Sequence, residues 1–143
     1  MDIAHLIAGR TGSDIVTCDI DTPMRDALAI LARRRIGAMP VMAGGRIAGI
    51  FSERDVIYCL EAEGEASLSK KVGEVMTAPP ITVAPHTRIE EALELMTRRR
   101  IRHLPVVQDG TLQGFVSIGD LVKSQVDDLA READAMRVYI QSA

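Results

Sequence analysis

The sequence predicts an α/β (α+β) fold: two tandem β-α-β-β-α motifs packed as a pseudo-twofold pair, followed by a C-terminal helical tail. The main support is an internal repeat. When the sequence is shifted by 65 residues, it overlays itself without a gap from Thr17 to Leu60, and 14 of the 44 positions are identical. The identical positions include glycines, a proline and polar residues, so the match is more than a shared hydrophobic pattern. Neither copy could bury its sheet face alone, and we expect the two copies to pack their sheets together.

A helix follows a short apolar segment (IVTC and ITV) at the start of each copy. Thr22 and Thr87 are the N-cap candidates, and Pro23 stands in the first turn of the first helix. On both helices apolar residues recur with i, i+3, i+4, i+7 spacing, which predicts one buried face. These residues are Met24, Ala27, Leu28 and Leu31 in the first copy and Ile89, Ala92, Leu93 and Met96 in the second.

Three arginines end each of these helices, at 33–35 and at 98–100. Cations are favourable in the last turn of a helix, so we interpret the triplets as helix ends. Arg35 and Arg100 are the members expected to lean towards a phosphate or a dimer face. Nucleic-acid binding is the alternative, and a net charge of -3 with only 3% aromatic residues argues against it.

Two short strands and a second helix complete each copy. The strands are AMPVM and RIAGIFS in the first copy, HLPVV and LQGFVS in the second, and each pair is joined by a turn whose glycine suits positive φ. The second helices start at about Glu53 and at about Gly119, and EAEGEASLSK, with its three glutamates, is interpreted as a solvated linker. The predicted organisation is a first motif with the N-terminal segment (1–64), a second motif with the linker (65–126) and a C-terminal helix (127–143).

The C-terminal tail continues the last helix with another one-sided apolar stripe. A projecting helix with such a stripe needs a partner, from its own chain or from a second one, and we expect a homodimer. The stripe consists of Val126, Leu129, Ala130, Ala133, Met136 and Ile140.

Composition limits the compartment and the chemistry. Two cysteines, Cys18 and Cys59, do not make a disulfide framework, which favours a reduced, cytoplasmic protein. The start, MDIAHLIAGR, does not resemble a signal peptide, and no apolar stretch approaches the length of a membrane span. The sequence offers no nucleophile–base pair and no Walker loop, and His5 and His86 lack metal-ligand spacing, so we expect neither an enzyme nor a required cofactor or metal.

The strongest polar signal is Gly-x-x-Ser-x-x-Asp, which occurs at the end of the last strand in both copies. It has two readings. Ser as an N-cap and Asp in the first helical turn would stabilise the helix start. Alternatively, the helix N-terminus and Ser would bind phosphate, and the carboxylate would accept both hydroxyls of a ribose. The residues are Gly49, Ser52 and Asp55 in the first copy and Gly114, Ser117 and Asp120 in the second.

The pattern Ile-x-x-Pro-Val followed by Gly-x-x-Ser-x-x-Asp, in two copies of this length, resembles the cystathionine-β-synthase (CBS) domain pair, or Bateman module. The resemblance covers about residues 3–125 and is to the stand-alone bacterial proteins, which carry no enzyme or channel domain. It implies a regulatory, energy- or redox-sensing module that binds AMP or a related adenosine ligand between its two motifs, and a flat homodimer acting on another protein. ATP, NAD(H) and S-adenosylmethionine remain alternative ligands.

The resemblance also implies two composite clefts with defined contacts. In the Asp120 cleft, Asp120 would hold ribose, while Ser117, Arg102 and His103 hold phosphate; adenine would lie against Ile36 and Gly37, with Thr11 and Val16 nearby. The ligand in the Asp55 cleft would be contacted by Asp55, Ser52 and Arg54, and its base would lie near Ile81, Ile101 and the Arg102 backbone. Gly37 and Ala38 stand where the second copy has Arg102 and His103, so we expect the Asp120 cleft to bind a monophosphate more tightly.

Overall fold

The computed structural model describes residues 1–10 and 14–142, and over these it has the predicted mixed architecture of two similar motifs and a long final helix. The elements in chain order are α1 (Ile3–Ile7), β1 (Cys18–Asp19), α2 (Met24–Arg34), β2 (Ala38–Ala43), β3 (Arg46–Ser52), α3 (Glu53–Glu63), a 3₁₀ helix (Gly64–Ser69), α4 (Val72–Val75), α5 (Ile89–Arg99), β4 (His103–Gln108), β5 (Thr111–Ser117) and α6 (Ile118–Ser142). The first copy contains β1, α2, β2, β3 and α3, and the second contains α5, β4, β5 and α6.

Each copy is built around an antiparallel hairpin. β2 pairs with β3 and β4 pairs with β5, and both hairpins carry an irregularity in register at the same place, after Val41 and after Val106. The strand predicted at the start of each copy is much reduced. In the first copy it is reduced to the two-residue strand β1, which pairs in parallel with β2. In the second copy it is reduced to one isolated parallel bridge between Val83 and Val106.

The two copies exchange their leading segments. α1, which precedes the first copy, packs on the second: the Ile3 N–H donates to the Thr87 carbonyl at 2.9 Å, and Ile3 lies in the second core. α4, which precedes the second copy, packs on the first: the Val72 N–H donates to the Thr22 carbonyl at 2.8 Å, and Val72 lies in the first core. The packing therefore crosses the division of the chain predicted near residue 64.

Two glycines permit this close packing. A Cβ at Gly49 on β3 would lie 2.7 Å from the Thr77 carbonyl oxygen, and one at Gly114 on β5 would lie 3.0 Å from Ile7 Cγ2. Real Cβ atoms do not approach backbone at 2.7 Å, so the segment after α4 reaches β3 only because residue 49 is glycine. The last residue of α1, Ile7, occupies the corresponding place on β5.

The predicted N-caps of the first helices are wrong. α2 begins at Met24, with Pro23 in the N-cap position, and no side chain caps it. The Thr22 hydroxyl instead accepts from the Asp19 N–H at 3.1 Å, and the Thr87 hydroxyl accepts from the Ala84 N–H at 3.1 Å. Both threonines therefore stabilise the turn before the helix, a competing local use of a hydroxyl that the sequence spacing does not distinguish.

The arginine triplets end their helices as predicted, but only the first two arginines of each are helical. Arg35 and Arg100 are left-handed caps, with φ of 53° and 55°. The N–H of the next residue then reaches back into the helix, Ile36 to the Leu31 carbonyl and Ile101 to the Met96 carbonyl, as in a Schellman cap. The triplets thus complete the helix ends without glycine.

The segment predicted to be a solvated linker is ordered and partly buried. α3 continues to Glu63 and the 3₁₀ helix follows directly, with Ser67 fully buried and Leu68 in the first core. Its glutamates are exposed, and Glu63 pairs with Lys70 at 2.6 Å. The prediction was wrong because the segment consists mostly of charged and small residues, and the one leucine among them, Leu68, packs into the core.

α6 runs unbroken from the second copy into the tail, as predicted, and the stripe on its later turns is exposed. Among the described residues, no helix is both long and apolar enough to cross a membrane.

Candidate functional site

The Ser and Asp of each Gly-x-x-Ser-x-x-Asp motif form a reciprocal cap at the start of a helix. At α6 the Ser117 N–H donates to Asp120 Oδ2 at 2.9 Å, and the Asp120 N–H donates to Ser117 Oγ at 3.1 Å. At α3 the corresponding distances for Ser52 and Asp55 are 2.9 Å and 3.4 Å. The structural reading of the motif is therefore correct, and it leaves one oxygen of each carboxylate, Oδ1, for another partner.

That second oxygen is used differently in the two copies. Asp55 Oδ1 accepts a hydrogen bond from the Thr77 hydroxyl at 3.1 Å, and Thr77 is held on β3 by a pair of backbone hydrogen bonds to Ile50. Asp120 Oδ1 instead lies 3.6 Å from Nη2 of Arg10, too long for a strong charge-assisted hydrogen bond. Asp120 therefore keeps the more available oxygen.

A cleft of about 260 Å³ opens beside Asp120, between the two copies. It brings together five of the residues expected there: Val16, Ile36, His103, Ser117 and Asp120. Its other walls are Arg10, Asp14, Ile15, Ala38, Gln113, Gly114 and Phe115. One wall is thus apolar and the other carries a helix N-terminus, a carboxylate and a guanidinium.

His103 is partly buried in this cleft and stacks on Phe115, with ring centroids 5.3 Å apart and planes inclined by 10°. Burial lowers the pKa of His103 from its usual value, and the nearby carboxylates of Asp120 and Glu53 oppose this shift only in part. The ring is therefore neutral near pH 7 and offers one N–H donor rather than a fixed cation.

Gly37 does not line the cleft, but it shapes the neighbourhood of His103. A Cβ at Gly37 would lie 3.1 Å from Glu53 Oε1 and 3.7 Å from His103 Cε1, so the glycine lets these side chains meet across the two copies. Arg102 is exposed, and its side chain is not among the cleft residues; its carbonyl accepts from the Ile118 N–H at 2.8 Å. Thr11 lies outside the described residues.

The residues expected at the Asp55 cleft are less clearly gathered. Ser52 and Asp55 are joined by the cap, and Arg54 Nη1 lies 3.5 Å from the Arg100 carbonyl oxygen. Ile81 and Ile101 are partly buried and pack against the second core.

Arg10 and Asp14 are the charged cleft residues that sequence reasoning missed. They belong to the loop between α1 and β1, which is longer than its counterpart in the second copy: nine positions separate Ala8 from Thr17, whereas five separate Thr77 from Thr82. This difference in length was the available signal, since Arg10 and Asp14 both belong to the longer segment.

Metal and thiol chemistry find no support in the described part of the chain. No group of three or more potential ligands is close enough to hold a metal ion there. Burial raises the pKa of the Cys18 thiol to about 11, so it is unreactive at neutral pH, and Cys59 packs against the same core.

Comparison with known proteins identifies the family. The family model described as CBS domain matches residues 10–62 and 72–127. The chain belongs to the CBS domain family. The CBS-domain containing protein from Agrobacterium tumefaciens superposes with a TM-score of 0.81 and 34% identity, over 87% of this chain and 99% of that one.

The chain is also similar to a plant CBS protein and to a CBS protein whose structure contains AMP. The mitochondrial CBS domain-containing protein CBSX3 of Arabidopsis thaliana is 39% identical over 87% of this chain and 63% of its own length. CBSX2, solved in complex with AMP, superposes with a TM-score of 0.76 and 25% identity, over 88% of this chain and 96% of that one. The chain spans only about a quarter, 24%, of the mycobacterial inosine-5′-monophosphate dehydrogenases that it also matches.

Proposed function

We propose that this CBS-domain protein is a regulatory module that binds an adenosine nucleotide, AMP or a close relative, in the Asp120 cleft. The observation that carries the proposal is the cleft itself, in which an apolar wall faces the capped N-terminus of α6. CBSX2, a protein of the same fold, is AMP-bound, which supports this ligand class.

The chemistry of the cleft suits each part of a nucleotide. Val16 and Ile36 offer flat apolar contact for a purine, and Asp120 Oδ1 is an acceptor for a ribose hydroxyl. The N-terminus of α6 carries a partial positive charge, and Ser117 Oγ lies beside it as a possible donor to phosphate. His103 adds a neutral donor on the same wall.

The Asp55 cleft is proposed as the weaker site. A ribose there would first have to displace the Thr77 hydroxyl from Asp55 Oδ1. ATP, NAD(H) and S-adenosylmethionine offer the same adenosine group and remain candidate ligands for either cleft.

A binding module fits the site better than an enzyme. His103 and the carboxylates of Asp14 and Asp120 line the cleft as potential bases. Ser117 and Asp120, however, are engaged with each other in the cap of α6 through their backbone N–H groups, which is a structural arrangement rather than that of an activated nucleophile and its base. A reducing compartment such as the cytoplasm suits the free thiols of Cys18 and Cys59.

Isothermal titration with AMP, adenosine and 2′-deoxy-AMP tests the proposal directly. AMP should bind, and removal of the 2′-hydroxyl should weaken binding by about tenfold, because a charged acceptor loses one of its donors. Equal affinity for AMP and 2′-deoxy-AMP would show that Asp120 does not hold the ribose. A thermal-shift screen across AMP, ATP, NADH and S-adenosylmethionine ranks the candidate ligands, and no shift with any of the four would reject a sensor of adenosine ligands.

We further propose that the protein is a homodimer. The later turns of α6 expose an apolar surface that a second chain could cover. It includes Val126, Leu129, Met136 and Ile140, which are between 57% and 65% exposed. Ile57 and Tyr58 on α3 are similarly exposed. Surfaces of this kind normally mark an interface. Light scattering at micromolar concentration should give the mass of two chains, and a mass of one chain would reject the dimer.

A further inference from the structure

The loop that precedes β1 places an arginine on the very carboxylate oxygen that a ribose would use. Arg10 Nη2 lies 3.6 Å from Asp120 Oδ1, while Asp120 Oδ2 is already held by the Ser117 N–H. A ribose hydroxyl held by Asp120 would therefore approach the same oxygen as the guanidinium of Arg10.

The ion pair is weak enough to exchange. Its distance exceeds that of a charge-assisted hydrogen bond, and the side chains of Arg10 and Asp120 are 44% and 33% exposed. Pairs with this exposure are screened by solvent, so displacing Arg10 should weaken ligand binding by no more than about fivefold.

The backbone of Arg10 keeps its side chain at the cleft after displacement. The Arg10 N–H donates to the Ile7 carbonyl at 3.0 Å, and Ile7 is packed on Gly114 of β5. The guanidinium therefore remains at the rim of the cleft, close to the N-terminus of α6. Its planar set of donors suits the oxygens of a phosphate.

We propose that Arg10 is a specificity residue that exchanges Asp120 for the phosphate when a nucleotide binds. The proposal rests on the proposed function. Without a phosphate, the ligand displaces Arg10 from Asp120 and gives it no new partner. With a phosphate, the same movement forms a charge-assisted contact. Arg10 thereby favours nucleotides over nucleosides, and it does so from a loop that is longer than its counterpart in the second copy.

The experiment is calorimetry of AMP and adenosine with the unchanged protein, Arg10→Ala and Arg10→Gln. Both variants should bind AMP about tenfold more weakly, yet bind adenosine as tightly as before or up to about fivefold more tightly. The two ligands thus respond in opposite directions. A purely structural role for Arg10 would weaken both equally.

Arg25→Ala is the matched control, because Arg25 is exposed at the far end of α2 from Ile36 and the cleft. It should leave both affinities unchanged, and Arg10→Lys should restore part of the preference for AMP. Parallel losses for AMP and adenosine, or no change with either, would overturn the role of Arg10 alone. Failure of the unchanged protein to bind either ligand would instead overturn the proposed function.

Discussion

Replacing Asp120 or Asp55 with asparagine should affect AMP binding very unequally. Each aspartate accepts the N–H of its serine at 2.9 Å through Oδ2, and asparagine retains a carbonyl oxygen for this bond. Each variant loses the attraction of a carboxylate for a helix N-terminus, about 0.3–1 kcal/mol. Asp55→Asn also loses the charged acceptor of the Thr77 hydroxyl, so its melting temperature should fall at least as far as that of Asp120→Asn.

Binding should separate the two variants. Asp120→Asn replaces a charged acceptor by a neutral amide, and a hydrogen bond to a charged group contributes about 1.5–3 kcal/mol, so AMP should bind roughly tenfold to 150-fold more weakly. Asp55→Asn should leave the main affinity within about twofold, because Thr77 already occupies Asp55 Oδ1. The assay is titration calorimetry with AMP, and the melting curves serve as the control for folding. Equal losses in both variants, or tight binding that survives Asp120→Asn, would refute the unequal-cleft argument.

Three further outcomes follow from the packing. The pKa of His103 is lowered in the folded state, so the unfolded chain takes up the proton first and stability is lost as pH falls below about 6.5. His103→Phe keeps the stacking ring and should lose less in melting temperature between pH 7.5 and 5.5 than the unchanged protein. An equal loss in both would contradict this. Gly49→Ala should lower the free energy of unfolding in urea by about 1–3 kcal/mol, because the new Cβ would meet the Thr77 backbone. Gly114→Ala should lower it less, because there the new Cβ meets only a side chain. A larger loss in Gly114→Ala than in Gly49→Ala would contradict this packing argument. Removing residues 127–143 should weaken the proposed dimer in light scattering, and an unchanged mass and melting curve would show the tail to be dispensable.

Local chemistry made much of this fold predictable from sequence. The glycine-containing turns located both hairpins, and the boundary between β3 and α3 lies at Ser52 and Glu53, where the sequence places it. The glycines of the turns and the serine before the second helix of each copy are short-range signals, and the repeat doubled the evidence for each.

Contacts between the copies could not be predicted in the same way. Nothing in the order of residues indicates that α1 packs on the second copy, and the pairing of Arg10 with Asp120 depends on that placement. The family resemblance directed attention to Arg102, whose side chain is exposed and not among the residues that line the cleft, and its contact with a phosphate stays a prediction. The sequence could flag only that the loop before β1 was too long to match its counterpart.

The crosswise exchange of α1 and α4 has a consequence for how the chain folds. Ile3 of α1 completes the core of the second copy, and Val72 of α4 completes the core of the first. Neither half of the chain has a complete interior without the other half, so the two should form in one cooperative step rather than one after the other.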